Sequence, residues 1–396
     1  MLFFQSVIVY SLFAFSLYAV SRIRISTVNK VRYHHWYSLP FEYWVCIFIF
    51  AFFSGIRYDV GVDYISYLSN YIDALNGYSF VRERGIEEGY YAITMFCSQL
   101  GVHPIIYFGL LSAVQLYFLL LVMRDEKGAI PYMLATLILG NAYLMWMNGI
   151  RQLVAASIFV FAATKIPSGK WKSFLLLLLI AFTWHHSVVI LLPLYLLRYD
   201  KLIWDKKMIN LIILFACLII GNIPTWIGIM IRLGSFFEFI GYDYYAENLS
   251  SLTDIDKMSS YNFGPRKLTL LACNLFVVVL YPRVRTLIAD KSKIDLFFKL
   301  SFIGMCLYYL FDNTLVFFRR PVEYFTIFLL PMVGYTLYYL KINNTRKIFY
   351  YIMLVSSCSF LLLQCYIEST KPEYERQSTL YQTYWCDNNF YQYRIK

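Results

Sequence analysis

The chain has 396 residues, 60% of them hydrophobic and 15% charged, with a formal net charge of +11 and a mean hydropathy of +0.55. Soluble globular domains carry about a quarter charged residues and disordered chains need low hydrophobicity, so both classes are excluded. The positive charge does not point to nucleic acid, because Lys and Arg sit mostly in short loops between apolar runs, as the positive-inside rule expects.

Apolar runs recur from Leu2 to Tyr366. They predict an all-α polytopic membrane protein with about 10–12 transmembrane helices: one membrane domain over 1–366 and a polar C-terminal tail over 367–396. The first run, Met1–Val20, has no basic segment before it and no A-x-A-like cleavage site after it, and reads as a retained span. Further spans are expected at Tyr43–Ile56, Pro104–Met123, Ile130–Met147, Ile150–Thr164, Ile209–Ile231, Leu268–Tyr281, Leu296–Leu310, Tyr324–Leu340 and Ile348–Tyr366. The stretch Trp171–Leu197 is interrupted by Trp184-His185-His186-Ser187 and has basic residues on both flanks, which predicts a helical hairpin with the histidines at its tip.

The basic loops contain Arg22, Arg24, Lys30 and Arg32; Arg124 and Lys127; Lys165, Lys170 and Lys172; Arg198, Lys201, Lys206 and Lys207; Arg283, Arg285, Lys291 and Lys293; and Lys341, Arg346 and Lys347. They are expected to face the cytoplasm. The N-terminus, the acid-rich loops 57–89 and 234–267, the Asn148–Arg151 turn, the His185 tip, residues 312–323 and the tail are then external. The eight cysteines show no C-x-x-C or zinc-like spacing, so no metal site is expected. Cys365 and Cys386 flank the tail and could pair only if it is external.

Ionisable groups at the ends of spans are costly unless paired or hydrated, and four places stand out. The first is Arg57-Tyr58-Asp59-Val60-Gly61-Val62-Asp63-Tyr64 with Tyr67, where a planar guanidinium suited to phosphate lies near two carboxylates and stacking rings. The second is Asn148-Gly149-Ile150-Arg151-Gln152, a polar turn between two apolar runs. The third is Thr183-Trp184-His185-His186-Ser187, where a histidine could act as a base or bind an anion. The fourth is Arg319-Arg320-Pro321-Val322-Glu323-Tyr324-Phe325, in which Glu323 can pair with only one of two adjacent cations at helical spacing. The bland alternatives are a snorkelling arginine, an interfacial tyrosine belt, a satisfied histidine and a local ion pair. Several cations at one membrane edge would attract a phosphate-bearing lipid. Nothing in the sequence resembles a nucleotide-binding loop.

Taken in order, these segments resemble the EpsG family of polysaccharide-synthesis membrane proteins, which goes with the Wzy-type O-antigen polymerases. Arg57 through Tyr64 with Tyr67 is similar to the family's R-x-x-x-G-x-D-Y…Y signature. Glu88-Gly89-Tyr90 resembles its E-x-G-Y segment, Asn148 to Gln152 its N-x-x-R-Q segment, and His185 with Ser187 its F-H-x-S step. Arg320 with Tyr324-Phe325 resembles its R-x-x-x-Y-F element. Val62 departs from the expected Thr.

The resemblance implies a GT-C-like helical fold without a required metal or other cofactor. It also implies an inner-membrane polymerase that joins undecaprenyl-pyrophosphate-linked oligosaccharide repeat units at the external face. On this reading Arg57, Arg151 and Arg320, with Arg319 in reserve, bind the leaving pyrophosphate. His185, Asp63 and Asp59 are the candidate bases. Tyr64, Tyr67, Glu88, Gln152 and Glu323 would contact substrate, and Tyr242, Tyr244 and Tyr245 could stack on sugars. Membrane lipids, a chain-length regulator and a flippase are the partners it implies. The alternatives are an O-antigen ligase, a lipid-linked sugar transporter or flippase, and a membrane acyltransferase.

Overall fold

The computed structural model describes residues 2–23, 37–77, 86–140, 142–199, 204–226, 228–230, 264–314, 316–343, 347–370 and 379–383. Tyr242, Tyr244, Tyr245, Cys386, nearly all of the 234–267 loop and most of the 367–396 tail lie outside the described residues. The chain forms two compact units, 1–201 with 333–396 and 202–332.

The fold is all-α, and the chain is a multi-pass membrane protein. Among the described residues, five helices are long and apolar enough to cross a membrane: Leu2–Arg22, Pro104–Met123, Lys267–Leu287, Lys291–Phe311 and Arg320–Ile342. The number rises to eight if each of three bent helix pairs is one span. Four shorter apolar helices, Phe41–Ile56, Ile150–Ala163, Trp171–Phe182 and His186–Arg198, accompany them.

Three expected continuous spans are broken, among them Ile209–Ile231, where Lys207–Ile220 and Pro224–Met230 meet at 72°. Ile130–Leu139 and Ala142–Asn148 meet at 63°, where Gly140 leaves the helical conformation. Lys347–Cys358 and Phe360–Thr370 meet at 45°. There the hydroxyls of Ser356 and Ser357 bond back to the carbonyls of Ile352 and Leu354, a contact that bends helices.

In the first unit we label α1 (Leu2–Arg22), α2 (Phe41–Ile56), β1 (Arg57–Tyr58), α3 (Tyr64–Leu75), α4 (Glu88–Gln99) and α5 (Pro104–Met123). After these come α6 (Ile130–Leu139), α7 (Ala142–Asn148), α8 (Ile150–Ala163), α9 (Trp171–Phe182) and a 3-10 helix, His186–Tyr199. The core forms where α2 packs on α5, α5 on α8, α8 on α9 and α1 on α6. Tyr10, Phe13, Phe50 and Tyr143 contribute ring-on-ring contacts there. α9 and the 3-10 helix run back along each other. Phe174 meets Tyr195 at 5.3 Å between ring centres, and Gly169 lies against the Arg198 guanidinium. The stretch is therefore a hairpin whose tip holds His185 and His186, as its charge pattern predicts.

β1 pairs antiparallel with β2 (Gln382–Thr383), Arg57 opposite Thr383 and Tyr58 opposite Gln382. This is the only sheet among the described residues.

The second unit packs α10 (Lys207–Ile220) with the helices Pro265–Leu287 and Lys291–Phe311. Asp290 caps the last of these by accepting from the Lys293 N–H at 3.0 Å. Arg285 donates through Nε and Nη2 to the two carboxylate oxygens of Asp295, at 2.6 and 2.9 Å.

Candidate active site

α2 ends at Ile56, and the chain leaves it extended through Arg57. The Arg57 side chain is 0% exposed. Its Nη1 donates to the Val60 carbonyl at 2.5 Å, while Nε and Nη2 have no hydrogen-bond partner among the described residues. The guanidinium lies over the rings of Tyr64 at 4.8 Å and Phe108 at 5.5 Å. Leaving buried donors unpaired costs about 1–3 kcal/mol, and a desolvated cation–π contact returns about 2 kcal/mol. Arg57 is thus a buried cation held by rings and one carbonyl, with two donors uncommitted.

The turn that follows explains the spacing of the motif. Asp59 has φ +50°, a left-handed conformation that Asp tolerates better than most residues. Gly61 has φ +97°, and a Cβ there would stand 2.5 Å from the Asn148 side-chain oxygen. That oxygen accepts from the Val62 N–H at 2.7 Å. The first motif is in this way fastened to the second, three residues before Arg151. Asp63 precedes α3, which carries Tyr64 and Tyr67 one turn apart on one buried face.

Arg151 occupies the first turn of α8, where the helix dipole disfavours a cation. Glu87 supplies the compensating charge: its Oε2 pairs with Arg151 Nη1. Arg151 also meets the Tyr67 hydroxyl and lies over the Tyr90 ring at 5.6 Å. Burial pushes the Tyr67 phenol up, and the nearby Arg151 cation opposes that rise. The other Glu87 oxygen lies 3.9 Å from His185 Nε2. His185 Nδ1 is 2.7 Å from Ser187 Oγ. One 5%-exposed carboxylate therefore joins the second and third motifs. The backbone reinforces the join, since Gly89 N–H donates to the Thr183 carbonyl at 2.7 Å. A Cβ on Gly89 would fall 2.7 Å from Thr183 Oγ1 and 2.8 Å from its carbonyl oxygen.

The first unit therefore brings together Arg57, Asp63, Tyr64, Tyr67, Arg151 and His185. Buried Gln152 adjoins Arg151 in the sequence, and half-buried Asp59 lies in the turn after Arg57. Glu88 is placed differently from expectation. Its side chain is 76% exposed and 3.4 Å from His186 Nε2, on the outside of the join. Its own backbone N–H, and then His186, hold its carboxyl below the usual range.

The residue that sequence reasoning passed over is Glu87. The signal was present, because E-x-G-Y read strictly over Glu87-Glu88-Gly89-Tyr90 makes Glu87 the acidic position. Arg319, Arg320 and Glu323 belong to the second unit, with both arginines exposed and Tyr324 and Phe325 buried.

The EpsG family model matches residues 42–383, most of the chain. The chain belongs to the EpsG family. No curated protein and no solved structure matches it. For an EpsG-family member the arrangement in the first unit has a chemical sense. It combines fixed guanidinium donors, a carboxylate-oriented imidazole and a lining of tyrosines, which are groups suited to phosphate, proton and sugar in turn.

Proposed function

We propose that this EpsG-family protein is a Wzy-type polymerase. It joins undecaprenyl-pyrophosphate-linked oligosaccharide repeat units at the external face of the cytoplasmic membrane. The observation that carries this reading is that one carboxylate, Glu87, pairs with Arg151 and lies 3.9 Å from His185 Nε2, so that a guanidinium and an imidazole share a neighbour. The family match and the basic loops, which favour an external site, support the same reading.

In the reaction a hydroxyl oxygen of the acceptor attacks the anomeric carbon of the donor. The bond from that carbon to the diphosphate oxygen breaks, and the diphosphate leaves with the electron pair. Its growing negative charge is met by Arg151, the half-exposed cation, and by the two uncommitted donors of Arg57. A diphosphate reaches Arg57 only when the side chains covering it move. Fixed cations of this kind stabilise developing charge without reorganising. His185, with Nδ1 2.7 Å from Ser187 Oγ and Nε2 3.9 Å from a Glu87 oxygen, takes the acceptor's proton. Asp63, close enough to act on Tyr67, is the reserve base. A flippase supplies the substrate and a chain-length regulator sets the stopping point.

The test is elongation by the purified protein in vesicles containing lipid-linked repeat units. Wild type should produce a ladder of chain lengths, and Arg151→Ala should leave single units. Failure of wild type to lengthen chains would favour a transporter, and transfer of single units to another acceptor would favour a ligase.

A further inference from the structure

We infer that Thr379–Thr383, a short strap from the C-terminal tail, is a positioning element that sets Arg57 for the reaction proposed above. The inference rests on that reading for its catalytic consequence, but its structural part stands separately. The strap reaches the Arg57 strand from the far end of the sequence and attaches both to that strand and to the end of α2 before it. Gln382 and Thr383 pair with Tyr58 and Arg57 in register. Tyr381 donates its hydroxyl to the Phe53 carbonyl at 2.5 Å. Phe53 lies in the last turn of α2, where carbonyls lack partners within the helix. The strap thus fixes both the helix end and the extended residue that leaves it, the two backbone features that aim Arg57.

The anchoring is deep. Tyr381 is 0% exposed, packs edge-on against Tyr10 at 5.3 Å, and donates its N–H to Ser6 Oγ at 2.8 Å. Tyr10 in turn donates to the Thr379 carbonyl at 2.8 Å, and the Thr379 N–H donates to Glu368 Oε2 at 2.9 Å. Residues held by this many contacts form a brace and not a loosely laid cover. Burial pushes the Tyr381 phenol up while the Arg57 charge opposes the rise, so the two side chains lie within electrostatic reach. The family match ends at Thr383, the last residue of the strap. A misplacement of about 1 Å at a reacting group can cost about 100-fold in rate, which is the size of effect a lost brace should have.

The experiment uses the full-length protein, a chain stopped after Thr383, Tyr381→Ala and Tyr381→Phe, with Arg57→Ala in parallel. Elongation of lipid-linked repeat units is measured in vesicles. Separately, Tyr58→Cys is combined with each change and labelled with a membrane-impermeant maleimide, the chain without the Tyr58→Cys change serving as blank. The chain ending at Thr383 should elongate normally. Tyr381→Ala should lose about 100-fold in kcat with KM nearly constant, and the thiol introduced at position 58 should become rapidly labelled. Tyr381→Phe, which keeps the ring, should lose less than about 10-fold and keep that thiol shielded.

Wild-type kcat in Tyr381→Ala, a change confined to KM, or labelling of the introduced thiol no faster than in the Tyr58→Cys single variant would overturn the inference. If Tyr381→Ala does not insert, Tyr381→Phe and the chain ending at Thr383 still decide it: rapid labelling of the introduced thiol in either counts against the brace. If even the wild type fails to elongate, the polymerase reading has failed, and labelling alone decides whether the strap holds the Arg57 strand.

Discussion

Arg57 and Arg151 carry the same side chain into neighbouring parts of the first unit, yet the fold treats them in opposite ways. Arg151 is half-exposed and has a carboxylate, Glu87, directly against it. Arg57 is wholly buried, bonds one backbone carbonyl and is flanked by aromatic faces. A charge neutralised within the protein adds to the order of the site, whereas a buried charge left positive keeps its field for something else. On the proposed reading Arg57 meets the diphosphate charge, and Arg151 has a double task, as ligand and as the partner that fixes Glu87 beside His185.

The largest effect should follow from removing Arg57, the cation with no carboxylate against it among the described residues. Arg57→Ala should lower elongation by about 100-fold or more, measured as chain-length distribution at equal amounts of inserted protein. Arg57→Lys should rescue little, because an ammonium lacks the fork and is harder to desolvate. A normal ladder from Arg57→Lys would show that charge alone suffices. That result would erase the distinction between the two arginines.

Glu87→Gln addresses the other side. It removes the charge facing Arg151 and His185 while keeping the shape, and should cost about 1.5–3 kcal/mol in transition-state stabilisation, or roughly 10–100-fold in kcat/KM. Because Glu87 lies 3.9 Å from His185 Nε2, removing its charge should change the shape of the pH–rate profile. A profile of unchanged shape would remove His185 as the base and leave Asp63 to be tested. Gly89→Ala should act more weakly and through structure. Its Cβ meets the Thr183 carbonyl, and forcing the two apart costs about 1–3 kcal/mol of stability. Thermal unfolding in detergent should show the loss, with activity falling in proportion.

Much of this was legible in the sequence, for identifiable reasons. Apolar run length reports helices directly, and the basic flanks of Trp171–Leu197 were enough to predict a hairpin. Gly61 and Asn148 stood in motifs whose geometry only contact explains, since a positive φ and a side-chain cap for Val62 are properties of a turn built against another segment. What the sequence concealed was long-range. Nothing local in Tyr381-Gln382-Thr383 announces a strand that pairs with Arg57, because two-residue pairing leaves no periodicity to read. The breaks at Gly140 and near Ser359 were hidden inside runs whose hydropathy stays high through the bend. The choice between adjacent acids, Glu87 and Glu88, turned on which one faced inward, and composition does not encode facing.

That last choice gives the smallest predicted effect and the cleanest control. Glu88→Gln should leave elongation near wild type, because its side chain faces outward and its partner, His186, is exposed as well. In the folded protein its carboxyl titrates below the ordinary glutamate value, held there first by its own backbone N–H and then by His186. Any stabilisation from it is therefore fully present above the ordinary value and lost as pH falls through the lower, folded one. Exposed pairs of this kind contribute little and are screened by salt. Glu88→Gln should accordingly match wild type at neutral pH in both melting and activity, with any difference confined to the acid end of the melting profile. If Glu88→Gln instead abolished elongation while Glu87→Gln did not, the carboxylate holding Arg151 would be structural only. The reacting groups would then be those on the outer side of the hairpin tip, beside His186.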